Sequence, residues 1–128
     1  MPENRSRQHH QERLGEALRE EIILIVGGEL ADPRIALVGV SEVHLAPDGR
    51  TAHVFVTIDG DDEQALKSMQ GLMSAKGYIR HEVAERLGLR HPPELVFELD
   101  RSDERGSRIN QLLGKIEKRK EKEKRKQP

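Results

Sequence analysis

The stretch "LMSAKGYIR", residues 72–80, joins two apolar patterns of helical spacing through a Ser and a Gly. Upstream, Ala65, Leu66, Met69, Leu72 and Met73 form one stripe. Downstream, Ile79, Val83, Ala84 and Leu87 form a second that ends at Gly88. Ser and Gly are poor helix formers, so the spacing predicts two helices that meet at a kink through Ser74, Ala75, Lys76 and Gly77. Two roles for that junction are compatible. Gly77 lets the chain turn so that both stripes meet one sheet. Small residues ahead of a helix N-terminus also let backbone amides approach a phosphate. Lys76 and Arg80 would add full positive charge there, with Arg86 and Arg90 further along the segment.

Working outward, Leu14, Leu18, Ile22 and Ile25 recur at helical spacing and predict a first helix over about residues 6–27, with Gly27-Gly28 as its stop. The run at 22–26 also suits a buried strand, but its continuity with the amphipathic pattern before it favours helix. In "ADPR", Pro33 disfavours the helical region for Asp32 and breaks the chain. "ALVGVSEVHL" is rich in β-branched residues and changes alternation phase between Val40 and Val43, which suggests a bulge. "APDGR" is a turn, and "TAHVFVTI" puts Ala52, Val54, Val56 and Ile58 on one face, so the pair reads as an antiparallel hairpin. Asp61 or Asp62 caps the next helix. "RHPP" forces an extended entry into "ELVFEL", a third strand, and Ile109, Leu112, Leu113 and Ile116 form a last amphipathic segment. The order α-β-β-α-(kink)-α-β, with helices on one face of a three-stranded sheet, is an α+β domain.

Composition narrows the function classes. With two Phe, one Tyr and no Trp, the core must be aliphatic. Charged residues at 35% fit a soluble chain, the longest apolar run is far too short to span a bilayer, and no export signal is evident. Zero cysteines exclude disulfides, thiol catalysis and Cys-ligated zinc, and suit a reducing cytoplasm. The near-neutral total hides an asymmetry. Residues 115–128 hold eight Lys/Arg against three Glu, leaving residues 1–114 with 14 of the 22 basic and 20 of the 23 acidic residues. A basic tail on an acidic body reads either as a tether for a polyanion or as a solvated solubility tail. The organisation expected is a domain over residues 1–113 and a charged, disordered tail over 114–128.

No constellation for catalysis assembles. His9-His10 are adjacent on a helix and so face different ways, and His44 and His53 fall on the outer faces of paired strands. "DGDDE" at 59–63 has enough carboxylates for a magnesium ion, but a turn with an N-cap and acids favourable to the helix dipole explains it better. No HExxH, nucleophile elbow or Walker A pattern occurs, and no cofactor is expected.

With the kink in place, the element order resembles a type II KH domain, an RNA-binding module that carries a GxxG loop at this link. Here "SAKG" departs from GxxG and is similar to the AxG version, Ala75-Lys76-Gly77, of the bacterial ribosome-binding factor A family. "DPR", the "PD" turn, "AKGYIR" and "PELVFELDRSDERGSRI" follow that family's pattern in order, over about residues 7–113. The resemblance implies a monomeric, non-enzymatic, cytoplasmic assembly factor without membrane contact. It would bind immature 30S particles near the 5′ region of 16S rRNA, promote late maturation and processing, and support growth in the cold. An assembly GTPase or an initiation factor would help it leave. Because the body is acidic, RNA binding must rest on a local patch, for which Ser74, Ala75, Lys76, Gly77, Arg80, Arg86, Arg90, Arg5, Arg7 and Arg13 are the candidates. The rival readings are a stand-alone KH-like protein with another RNA target, and a small metal-dependent enzyme or protein-interaction module.

Overall fold

The computed structural model describes residues 2–30, 32–35 and 38–126, with side chains from residue 6 onward. The side chain of Arg5, the expected strand start at Ala36 and the last two tail residues lie outside that description. The chain forms helix α1 (Pro2–Leu24), prolonged by a π turn (Ile25–Glu29), then strands β1 (Val38–Leu45) and β2 (Thr51–Ile58). Helix α2 (Asp62–Leu87), strand β3 (Glu94–Leu99) and helix α3 (Gly106–Lys126) follow. The sheet order is β1-β2-β3, with β1 antiparallel and β3 parallel to β2.

Alternation builds the sheet as expected. Ala52, Val54, Val56 and Ile58 of β2 are buried, as are Leu95, Phe97 and Leu99 of β3. The expected phase change is a register shift between Val40 and Glu42. Ser41, at that bulge, turns its hydroxyl onto the Asp100 carboxylate. Together with the Ser102 backbone N–H and hydroxyl, that contact holds the Asp100 pKa down to about 2. The hairpin turn closes through the Ala46 N–H to the Thr51 carbonyl, 2.8 Å. On the outer face His44 and His53 stand opposite each other, and each bonds a glutamate, Glu42 and Glu98 respectively, at 3.0 Å.

The helices close the other face. Leu18, Ile22, Ile25 and Val26 reach the core from α1 and its extension, Ala65, Met69, Leu72, Ile79 and Val83 from α2, and Ile109 and Leu113 from α3. The "DPR" motif seats the loop between α1 and β1. Arg34 donates to both oxygens of Asp32, the Ser68 hydroxyl donates to the Arg34 carbonyl at 3.1 Å, and Ile35 lies over Gly71. A Cβ at Gly71 would come within 2.6 Å of Ile35 Cγ1, so the close approach requires glycine there.

Three expectations are corrected. Gly27-Gly28 does not stop the first helix. The chain passes through both in the π turn and becomes extended only at Leu30. The wider turn lets Ile25 and Val26, adjacent in sequence, both be buried. Nor are there two helices around the Ser-Gly junction: α2 is one 26-residue helix. It begins at the Asp61–Gln64 capping box and ends at Gly88 in the left-handed conformation. A single interior Gly costs roughly 1 kcal/mol, less than the burial of Leu72 on one side and Ile79 and Val83 on the other returns. Finally, residues 114–126 are not a disordered tail but the continuation of α3 across the expected boundary at 113. Lys, Arg and Glu are good helix formers, and residues 115–126 contain neither Gly nor Pro.

Candidate nucleic-acid interface

Because α2 is continuous, the junction offers no exposed helix N-terminus for a phosphate. It offers a helix face. Ser74, Gly77, Tyr78, His81 and Glu85 are exposed and recur at helical spacing, opposite the buried stripe. Ala75 packs against the core, and Lys76 is half-buried on the side of α2 that carries Leu72, Ile79 and Val83, turned away from that exposed face. Gly77 has helical geometry and open space around it, with no left-handed backbone to protect. Gly77→Ala is therefore expected to raise stability by about 0.5–1 kcal/mol, measured by urea denaturation. Tyr78, the one tyrosine of the chain, is 47% exposed beside this bare backbone, and sequence reasoning does not single it out. Its signal is its placement, one residue after a glycine that leaves no side chain to cover the ring.

The candidate arginines divide by their partners. Arg80 donates from Nε and Nη2 to the carbonyl of Pro92, at 3.2 and 2.8 Å, and from Nε to that of Pro93 at 3.2 Å, with Glu94 3.7 Å away. Its place is to hold the extended "RHPP" entry to β3. Arg86 clasps α2 to α1 and the π turn through Glu29, through Glu21 at 3.4 Å, and through Glu82 of its own helix at 3.4 Å. The Glu29 contact first, then the other carboxylates, raise its pKa further above the ordinary arginine value. Arg90 is exposed just past the end of α2 and has no hydrogen-bond or ion-pair partner among the described residues.

Arg7 and Arg13 do not join this face. Arg7 lines a shallow groove with Gln8, Gln11, Leu45 and Pro47, whereas Arg13 lies among Glu12, Glu16 and Glu20. Of the expected patch, Lys76 and Arg90 have no ion-pair partner among the described residues, while Tyr78 and His81 are exposed on the side of α2 away from Lys76. The acidic cluster is also accounted for: Asp61 caps α2, and Asp62 pairs with Arg108 at 2.9 Å. Among the described residues no group of three or more metal-ligating side chains comes together, and no helix is long and apolar enough to cross a membrane.

The family model for ribosome-binding factor A matches residues 10–113, which include every described sheet strand and the whole of α2 with its Ala75-Lys76-Gly77 segment. The chain belongs to the ribosome-binding factor A family. Ribosome-binding factor A of Koribacter versatilis (strain Ellin345) is 54% identical over 118 residues, covering 92% of this chain and 96% of that one. That of Caldanaerobacter subterraneus subsp. tengcongensis is 41% identical over 115 residues, covering 89% and 94%. Among solved structures, ribosome-binding factor A from Thermus thermophilus superimposes with a TM-score of 0.58 at 29% identity, covering 76% of this chain and 98% of that one. A Thermus thermophilus homology model fitted into the cryo-EM map of a 30S complex gives 0.54 at 32% identity, covering 74% and 96%. The α+β, KH-like class and the family inferred from the sequence both stand. The AxG turn that carried the resemblance is a helical segment rather than a break.

Proposed function

We propose that this chain is an assembly factor of the small ribosomal subunit that acts by binding rather than by catalysis. It works in the cytoplasm as a monomer, engages immature 30S particles through the backbone of 16S rRNA near its 5′ region, and steers late maturation and processing. The same reading gives it a role in cold growth and a release step helped by an assembly GTPase or an initiation factor. The observation that carries the reading is family membership over nearly the whole folded chain, together with a relative that has been fitted into a 30S complex. The α2 face adds physical support. Arg90 supplies unpartnered positive charge just past the end of the helix, and Tyr78 presents an exposed aromatic ring able to stack on an unpaired base.

Sucrose-gradient sedimentation tests it. The full chain is expected to comigrate with free 30S particles and not with 70S ribosomes or polysomes. A chain that stays at the top of the gradient at low salt overturns the proposal. Lys76→Ala combined with Arg90→Ala should weaken 30S association and lower its salt slope by about two units, with an unchanged melting curve. Arg80→Ala is a poorer probe, because it also removes donors from the Pro92 and Pro93 carbonyls.

A further inference from the structure

The body of the domain releases α3 after Leu113 and half-buried Ile116, and from Glu117 to Lys126 every residue is exposed. As a disordered tail, residues 115–126 would be a mixture of eight positive and three negative charges without a face. As a helix it has one. At about 100° per residue, Lys115, Lys118, Arg119, Lys122, Arg125 and Lys126 fall within one arc of roughly 120°. No acid falls inside that arc. Glu117, Glu121 and Glu123 all lie outside it, and Ile109, Leu113 and Ile116, which face the core, lie well away from its centre. The stripe therefore points away from the acidic body. At about 1.5 Å rise per residue it is some 17 Å long.

We propose that this stripe is a second RNA-binding surface, one that tracks the phosphate backbone of an RNA double helix. The inference rests on the ribosomal reading above and names the RNA element that α3 would take. Charge complementarity selects a polyanion. The choice of duplex over single strand follows from what the helix lacks. Between Gly106 and Lys126 there is no aromatic residue and no histidine, so unpaired bases have nothing on which to stack. A straight, regularly spaced row of ammonium and guanidinium groups suits the regular phosphate array on the flank of an A-form helix, which is read by shape and backbone.

The test permutes charge without changing it. In E117K/K118E/E121K/K122E, composition and net charge are those of the native chain, but two glutamates enter the stripe. In the control K120E/E121K, the exchange lies outside the stripe. Binding of the full-length variants to a blunt RNA duplex of about 16 base pairs is followed by fluorescence anisotropy against salt, with helicity checked by circular dichroism. The stripe variant should lose at least about tenfold in affinity near 0.1 M salt, and about two units of salt slope. The control should bind like the native chain.

Equal binding by native chain and stripe variant would overturn the proposal, since charge alone and not its face would then matter. So would a control that loses as much as the stripe variant, or a native chain that prefers single-stranded RNA. A stripe variant that loses 30S comigration while binding the duplex normally would also overturn it, and would point to a ribosomal protein surface. In each of these cases native comigration with 30S leaves the parent reading standing, and its absence removes that reading independently.

Discussion

Leu72→Ala is expected to destabilise the domain by about 3 kcal/mol, within the range of about 2–5 kcal/mol typical of buried leucines. Leu72 is fully buried, one residue after Gly71, where the "DPR" loop is seated, and midway along the buried stripe of α2. Truncation removes apolar contacts and leaves a cavity between a helix and a sheet that cannot easily close. The helix is pinned at one end by the Asp61–Gln64 capping box and laterally by the Arg86 clasp. Urea denaturation with an unchanged m-value would report the loss as stability rather than as an altered denatured state. Leu112→Ala in the same assay should cost well under 1 kcal/mol, because Leu112 is 38% exposed. A loss at Leu72 no larger than that at Leu112 would mean that the α2 stripe is not the core.

Much of this architecture is legible in the sequence because it depends on local periodicity and turn chemistry. The period-2 pattern in "TAHVFVTI" reports its own buried face, and the phase slip in "ALVGVSEVHL" marks the bulge that admits Ser41. Asp61 and Gly88 are end signals whose physics lies within four residues of chain. The points of disagreement also share a cause. Propensity alone breaks the chain at Ser74 and Gly77, but the stripes on both sides of them are in phase with one helix, and burial outweighs one glycine. The run after 113 reads as disordered from its charge alone, although its residue types favour a helix. Of the candidate site, the basic residues can be found in the sequence, but their availability cannot. Arg86 is bound to Glu29, 57 residues away, and Arg80 to proline carbonyls 12 and 13 residues away. Nothing in the local pattern separates such arginines from Arg90, which keeps its charge free of any partner among the described residues.

Arg105→Ala is expected to cost about 2–3 kcal/mol, although Arg105 belongs to no core cluster. Its Nη2 donates to the Ile58 carbonyl at 2.8 Å, its Nη1 to the carbonyls of Gly60 at 2.9 Å and Asp61 at 3.2 Å, and its Nε and Nη2 to Asp103 at 3.0 and 2.8 Å. One side chain, 18% exposed, thus ties the end of β2, the cap of α2 and the entry to α3. Removing it strips charge-assisted donors from three carbonyls at the turn between β2 and α2 and leaves Asp103 without its cation. Lysine should not rescue the loss, because a single ammonium cannot span the three directions served by the planar guanidinium. Acid provides an independent check. The Arg105 contact is the largest cause of the lowered Asp103 pKa. The resulting stability is present above the unfolded carboxylate value of about 4 and is lost as pH falls through the lowered folded value. The native chain should therefore lose stability more steeply than Arg105→Ala as pH falls below about 4. Parallel pH profiles would mean that Arg105 acts through the backbone carbonyls alone, and the carboxylate would then serve only to orient the guanidinium toward them.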